Sequence, residues 1–126
     1  MIVVDASVVV DLLLDPSGLP PLPDDEVWAA PAHIDVEVVS ALRRHLLAGR
    51  LTETQVRSGL VDYTDLGLTT WPVGPELRSR MFDLAHNLTA YDAAYAALAE
   101  AMDAPLLTRD AGLASAAPGS VTAVLV

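Results

Sequence analysis

Ile2-Val3-Val4-Asp5-Ala6-Ser7 is the stretch on which the fold turns. Three β-branched apolar residues in succession read as a short buried strand, because such side chains suit a pleated, packed surface. Asp5 closes the run. From Ser7 to Leu14 the pattern becomes helical, with Val8, Val9, Leu12 and Leu13 apolar. The chain therefore opens with a strand, a carboxylate and a helix.

The same alternation continues outward. The stretch 15–25 carries prolines at 16, 20, 21 and 23 and a glycine at 18, and reads as an irregular surface loop. Val27-Trp28-Ala29 reads as a short strand before Pro31. A long helix is predicted from about Ala32 to Ala48, ended by Gly49. Thr52 with Gln55 three residues on has the form of a capping box for a helix to about Leu66. Leu68 to Trp71 reads as a strand and Glu76 to His86 as a helix. Thr89 opens an alanine-rich helix through Met102. Pro105 to Thr108 reads as a strand, Arg109 to Ser115 as a short helix and Val121 to Val126 as a last strand. Strands that alternate with helices predict one α/β domain over 1–126, with a parallel sheet covered by helices on both faces.

Composition narrows the chemistry. The chain has 126 residues, 52% of them apolar and none cysteine, so a core forms without disulfides and thiolate metal sites are excluded. It carries no signal-peptide pattern and no apolar run long enough to span a bilayer, so a cytoplasmic location with no membrane association is expected. Seventeen acids stand against seven bases, giving a formal net charge of −10, and every base is an arginine.

Ligands of open α/β sheets bind at the carboxyl ends of the strands. Asp5 ends the first strand, and Asp110 follows Thr108 at the end of another. Asp92 sits in the first turn of the alanine-rich helix, whose start faces the same end of the sheet in a right-handed topology. In the long helix Ile34, Val38, Leu42 and Leu46 define the buried stripe, and Glu37 lies at its edge, whereas Asp35 points toward solvent. Each acid also has a plain structural reading: Asp5, Asp92 and Asp110 as helix caps, Glu37 as the partner of a surface arginine. Four carboxylates at one strand end repel one another, and a divalent cation removes the conflict. An all-oxygen site of this kind suits Mg²⁺ or Mn²⁺, and such ions activate water and steady the leaving oxygen in phosphodiester hydrolysis.

Four stretches resemble the motifs of PIN domains, in order and in spacing. They are Val3-Val4-Asp5-Ala6-Ser7, the run from Asp35 to Arg44, the run from Leu88 to Ala99, and Pro105-Leu106-Leu107-Thr108-Arg109-Asp110. Small single-domain members of that family are mostly VapC-type toxins. The resemblance implies a three-layer α/β/α sandwich with a central parallel sheet. It implies a metal-dependent endoribonuclease with Mg²⁺ or Mn²⁺ held by Asp5, Glu37, Asp92 and Asp110. Ser7 or Thr108 would support the site by hydrogen bonding. RNA would be the substrate, a VapB-type antitoxin the partner, and a homodimer the usual assembly. Ser40 departs from the asparagine many relatives carry, and the proline-rich loop replaces part of what is often helical.

Rival classes fit poorly. A haloacid-dehalogenase-like phosphoryl-transfer site needs a second aspartate where Ser7 stands, and both it and a receiver domain rely on a lysine. No glycine-rich phosphate loop is present. The remaining alternative is a catalytically inert PIN-like module acting through a protein partner. The acidic net charge requires RNA contact to depend on local arginines, and Arg44 and Arg109 are the candidates, Arg44 lying two turns beyond Glu37. An acidic surface also suits a basic antitoxin segment. His33, His45 and His86 show no ligand spacing and read as surface or helix-end residues. Trp28, Trp71, Tyr91 and Tyr95 read as core or interface.

Overall fold

A computed structural model of the chain describes residues 1–24 and 26–126. Asp25, the last position of the predicted loop, lies outside the described residues. Five strands form one parallel sheet: β1 (Ile2–Val4), β2 (Trp28–Pro31), β3 (Thr69–Trp71), β4 (Leu106–Thr108) and β5 (Ala123–Leu125). Their spatial order is β3-β2-β1-β4-β5. The central strands β1 and β4 are buried throughout, which is why they read as unbroken apolar runs.

The helices are α1 (Ala6–Leu14), α2 (Ile34–Leu47), α3 (Glu53–Asp65), α4 (Pro75–Asp83), α5 (Ala90–Met102) and α6 (Ala111–Ala116). Helices α1, α2 and α3 pack on one another, while α5 packs on α4 and crosses β1, β2 and β4. The result is the three-layer α/β/α sandwich. Small residues let α5 lie close to the sheet: Ala93, Ala94, Ala96, Ala97 and Ala99 are all buried. The core is completed by Val3, Val4, Val8, Val9, Ile34, Val38, Leu42, Tyr95, Leu106 and Leu113.

Local signals set several boundaries. Thr52 Oγ1 accepts from Gln55 N at 3.1 Å and Thr52 N donates to Gln55 Oε1 at 2.8 Å, a full capping box at the start of α3. Gly49, just beyond α2, has φ of +74°, a conformation costly for residues with a Cβ. Two predictions need adjustment. Within the proline-rich stretch, Pro16–Gly18 forms a short 3-10 turn, fixed by the Asp15 side chain accepting from Ser17 N. Helix α4 begins at Pro75, which suits a first helical turn because it lacks an amide hydrogen, and it ends at Asp83 rather than His86.

The chain runs from β1 outward through β2 to β3, then returns past β1 to β4 and on to β5. The order therefore reverses between β1 and β4. A crevice opens beyond the carboxyl ends of strands at such a switch point.

Candidate active site

Asp5 stands at the end of β1, on one side of the switch point, and is only 6% exposed. It occupies the N-cap position of α1 but makes no side-chain cap hydrogen bond, so the capping alternative does not account for it. Its Oδ2 accepts instead from Ser7 Oγ at 2.6 Å and from Thr108 Oγ1 at 2.8 Å. Burial raises the Asp5 carboxyl above the ordinary aspartate range. The two hydroxyls pull it back in part, and the nearby Glu37 charge adds to the rise.

On the other side of the switch point, Asp110 is the N-cap of α6. Its Oδ1 accepts from Gly112 N at 2.8 Å and Leu113 N at 3.2 Å, so here the capping role is real. Asp110 N also donates to Thr108 Oγ1 at 2.9 Å. Thr108 therefore links the two acids across the strand pair, accepting from one backbone and donating to the other carboxylate.

Asp92 lies in the first turn of α5. Thr89 Oγ1 accepts from its backbone N at 3.2 Å, but Asp92 returns no side-chain bond to Thr89, so its carboxylate faces the cleft free of capping duty. Its carboxyl is raised, first by burial and then by the charges of Asp5, Asp110 and Glu37, with His33 opposing. One carboxyl thus senses the other three. Glu37, in the first turn of α2, behaves oppositely. Burial pushes it up, but His33 and the Tyr95 hydroxyl outweigh burial and hold it below the ordinary glutamate range. Tyr95 OH donates to Glu37 Oε1 at 2.7 Å. His33 Nε2 lies 3.1 Å from the same oxygen, in poor alignment for a hydrogen bond, and this buried nitrogen has no other partner among the described residues.

All four acids line a single cleft of about 690 Å³, together with Ser7, Asp11, Tyr91, Arg44, His45 and Arg109. A separate groove of about 480 Å³ runs beside α4 and α5; two of its charged groups, Arg80 and Glu100, are paired with each other, and Glu76 is its one further acid among the described residues. The acid cleft is where four carboxylates are gathered. As the side chains stand, no three His, Asp or Glu among the described residues are close enough to hold a metal ion. Glu37 is drawn toward Tyr95 and His33, and Asp110 toward its cap. The donor chemistry still fits a hard divalent cation. The donors are carboxylate oxygens, two of the carboxyls are raised by burial and mutual repulsion, and the lining contains no thiolate.

The two arginines part company. Arg44 is exposed on the cleft wall, and no carboxylate among the described residues lies within ion-pairing distance of it. Arg109 is already engaged. Its Nε donates to Asp11 Oδ2 at 2.9 Å, and its Nη1 donates to Gly18 O at 3.1 Å and Val126 O at 3.0 Å. Its backbone N donates to Ser7 Oγ at 3.0 Å. Arg109, at the edge of the cleft, thus acts as a clamp joining α1, the proline-rich loop and the C-terminal residue.

Sequence reasoning missed His33 and the division between Tyr91 and Tyr95. His33 does stand at a helix end, as the N-cap of α2, but it also lies against Glu37, a contact whose spacing of four was the available signal. Tyr95 is fully buried, as a core reading expects, whereas Tyr91 is 65% exposed on the cleft.

A parallel α/β sandwich with an acid-lined crevice at its switch point is the class that fold and site define. The family model of the PIN domain matches residues 2–118, and the chain belongs to that family. It is 43% identical over 121 residues to Ribonuclease VapC1 of Mycobacterium tuberculosis, covering 93% of this chain and 90% of that protein. It is 37% identical to Ribonuclease VapC12 of the same organism, covering 90% of each. It is 39% identical to VapC ribonuclease Mb0985 of Mycobacterium bovis, covering 87% of this chain and 86% of that one. Among solved structures, PAE2754 from Pyrobaculum aerophilum superposes with a TM-score of 0.72 at 23% identity, over 96% of this chain and 81% of that chain, a likeness of fold.

Proposed function

We propose that the protein is a divalent-metal-dependent endoribonuclease acting as the toxic half of a toxin–antitoxin pair, with the whole chain serving as one PIN domain. The observation that carries the reading is the set of four carboxylates, from β1, α2, α5 and the β4–α6 junction, lining one cleft at the switch point. The curated relatives named ribonucleases, matched over most of their length, support the activity. Nothing favours the inert alternative, since all four acids are present and share the cleft. No helix among the described residues is long and apolar enough to cross a membrane.

Asp5, Asp92, Asp110 and Glu37 would hold Mg²⁺ or Mn²⁺, which when bound supplies activation of water and stabilisation of the leaving oxygen at a phosphodiester. The chain's own groups set the geometry. Ser7 and Thr108 fix the Asp5 carboxylate from two sides. Tyr95 and His33 restrain Glu37. Arg44, exposed and without an acidic partner among the described residues, is placed to meet a backbone phosphate. A VapB-type antitoxin carrying a basic segment would meet an acidic protein whose formal charge is −10. A homodimer remains the expected assembly.

The test is RNA cleavage by purified protein with Mg²⁺ or Mn²⁺, with excess EDTA, and with Asp92→Asn. Cleavage should need the ion and fail in the variant. Full cleavage in EDTA, or full activity of Asp92→Asn, would reject the assignment.

A further inference from the structure

Tyr91 is, among the described residues, the one large aromatic side chain lining the cleft, and the acid chemistry does not use it. It immediately precedes Asp92, and 65% of it is exposed. Four residues on, Tyr95 is fully buried with its hydroxyl on Glu37. Between them stands His33, its ring centroid 6.0 Å from Tyr91 at 52° and 5.2 Å from Tyr95 at 60°. The three rings form a tilted series running from the core to the cleft surface. The outermost ring is therefore braced from behind and open in front.

An isolated exposed aromatic is ordinary and calls for no explanation. This one differs in where it sits and in what supports it. The cleft around it offers four carboxylates to the reacting phosphate and a guanidinium without an acidic partner among the described residues, that of Arg44, to a neighbouring phosphate. With these groups engaged on phosphates, the faces of the flanking bases are left without a partner. A neutral, rigid aromatic face beside the reacting acids meets that need, since every base presents a π-face and an unpaired base is free to leave its own stack.

We propose that Tyr91 is a binding residue on which an unpaired nucleobase flanking the scissile phosphate stacks, so that the RNA lies between this ring and Arg44. This inference rests on the ribonuclease reading. A basic peptide packing on the ring is the competing protein-docking outcome, and the experiment separates the two.

Short fluorescein-labelled single-stranded RNA of random sequence is titrated by anisotropy against the full chain carrying Asp5→Asn, so that it binds without being cut. The background is compared with Tyr91→Phe, Tyr91→Leu and Tyr91→Ala added. Stacking predicts that Phe retains affinity, while Leu and Ala weaken it about 5-fold to 150-fold. RNA containing 2-aminopurine should lose fluorescence on binding the Tyr and Phe proteins but not the Leu protein. Should Tyr91→Ala fail to fold, the contrast of Phe with Leu decides.

Equal binding by Phe and Leu proteins would overturn stacking while leaving the nuclease reading intact. Loss of an arginine-rich peptide's binding on Tyr91→Leu, with RNA binding unchanged, would assign the ring to a protein partner and overturn it too. No RNA binding by the Asp5→Asn background, with no cleavage by the unmodified chain, would remove both readings.

Discussion

Tyr95→Phe tests how much of the site is held in place from the core. Phenylalanine keeps the buried ring and deletes one hydroxyl, which donates to Glu37 Oε1 at 2.7 Å. A hydrogen bond to a charged group contributes roughly 1.5–3 kcal/mol. The Glu37 side chain is 28% exposed, so water replaces part of the loss and about 1–2 kcal/mol is expected. The sign with pH follows from the direction of the Glu37 shift. Its folded pKa lies below the ordinary 4.5 because His33 and Tyr95 outweigh burial. Stability from this carboxylate is therefore present above pH 4.5 and lost as the pH falls through the lower folded value. Urea unfolding of both proteins in EDTA should show the full difference at neutral pH and a smaller one once Glu37 is protonated. The Mn²⁺ concentration for half-maximal RNA cleavage should rise about 10-fold to 100-fold, the usual effect of removing a group that orients a ligand. An equal loss of stability on both sides of the transition would refute the idea that the bond serves the ionised carboxylate. Unchanged Mn²⁺ dependence would refute its role in positioning Glu37 for metal.

Asp5→Asn should separate stability from activity. The folded pKa of Asp5 is raised, so its stabilising contribution is complete below pH 3.8 and is lost as pH rises through the folded value. In EDTA at neutral pH the variant should be at least as stable as the parent, yet cleave RNA at least about 100-fold more slowly, a loss of roughly 3 kcal/mol. Thermal melts with added Mn²⁺ should shift the parent and not the variant, and a shift in both would argue against Asp5 as a ligand. Arg109→Lys should lower stability by about 1–2 kcal/mol, because an ammonium cannot reproduce the fork to Asp11, Gly18 and Val126. Hydrogen exchange should quicken in the stretch 15–22, and unchanged exchange there would deny the clamp. Arg44→Ala should weaken RNA binding similarly across sequences and reduce the salt slope by about one, and an unaltered slope would remove Arg44 from the phosphate contacts.

The acids were legible because each is announced locally. Asp5 ends an apolar run, Asp110 follows another, Asp92 stands three residues after a capping threonine, and Glu37 borders a helical stripe. What stayed hidden depends on depth and on long-range contact. Tyr91 and Tyr95 are four apart and share a helix face, so periodicity alone treats them alike. They differ because the first turn of α5 emerges into the cleft while the next turn is already packed over the sheet. The Arg109 clamp joins residues up to 98 positions apart, and no local pattern signals a bond of that span. His33 escaped for another reason: a search for metal-ligand spacing among histidines passes over one whose contact is a glutamate.

An acidic chain that handles a polyanion must keep its positive charge where the substrate lies, because the net field is repulsive. Four arginines already have protein partners. Arg57 pairs with Glu53, Arg80 with Glu100, Arg109 with Asp11, and Arg78 donates to the Val73 carbonyl. Arg43, Arg44 and Arg50 have no acidic partner among the described residues, and all three cluster at the C-terminal end of α2 and just beyond it. Arg50 Nε donates to His45 Nδ1 at 2.9 Å, and His45 itself lines the acid cleft beside Arg44. Three arginines without an acidic partner among the described residues thus lie at one end of α2 and just beyond it, and the opposite end of that helix carries Glu37. A strand of RNA that crossed the acids and continued along this helix would pass from the reacting groups to a region where its phosphates meet cations rather than carboxylates. The same disposition would let a protein remain strongly acidic overall and still favour one direction of approach.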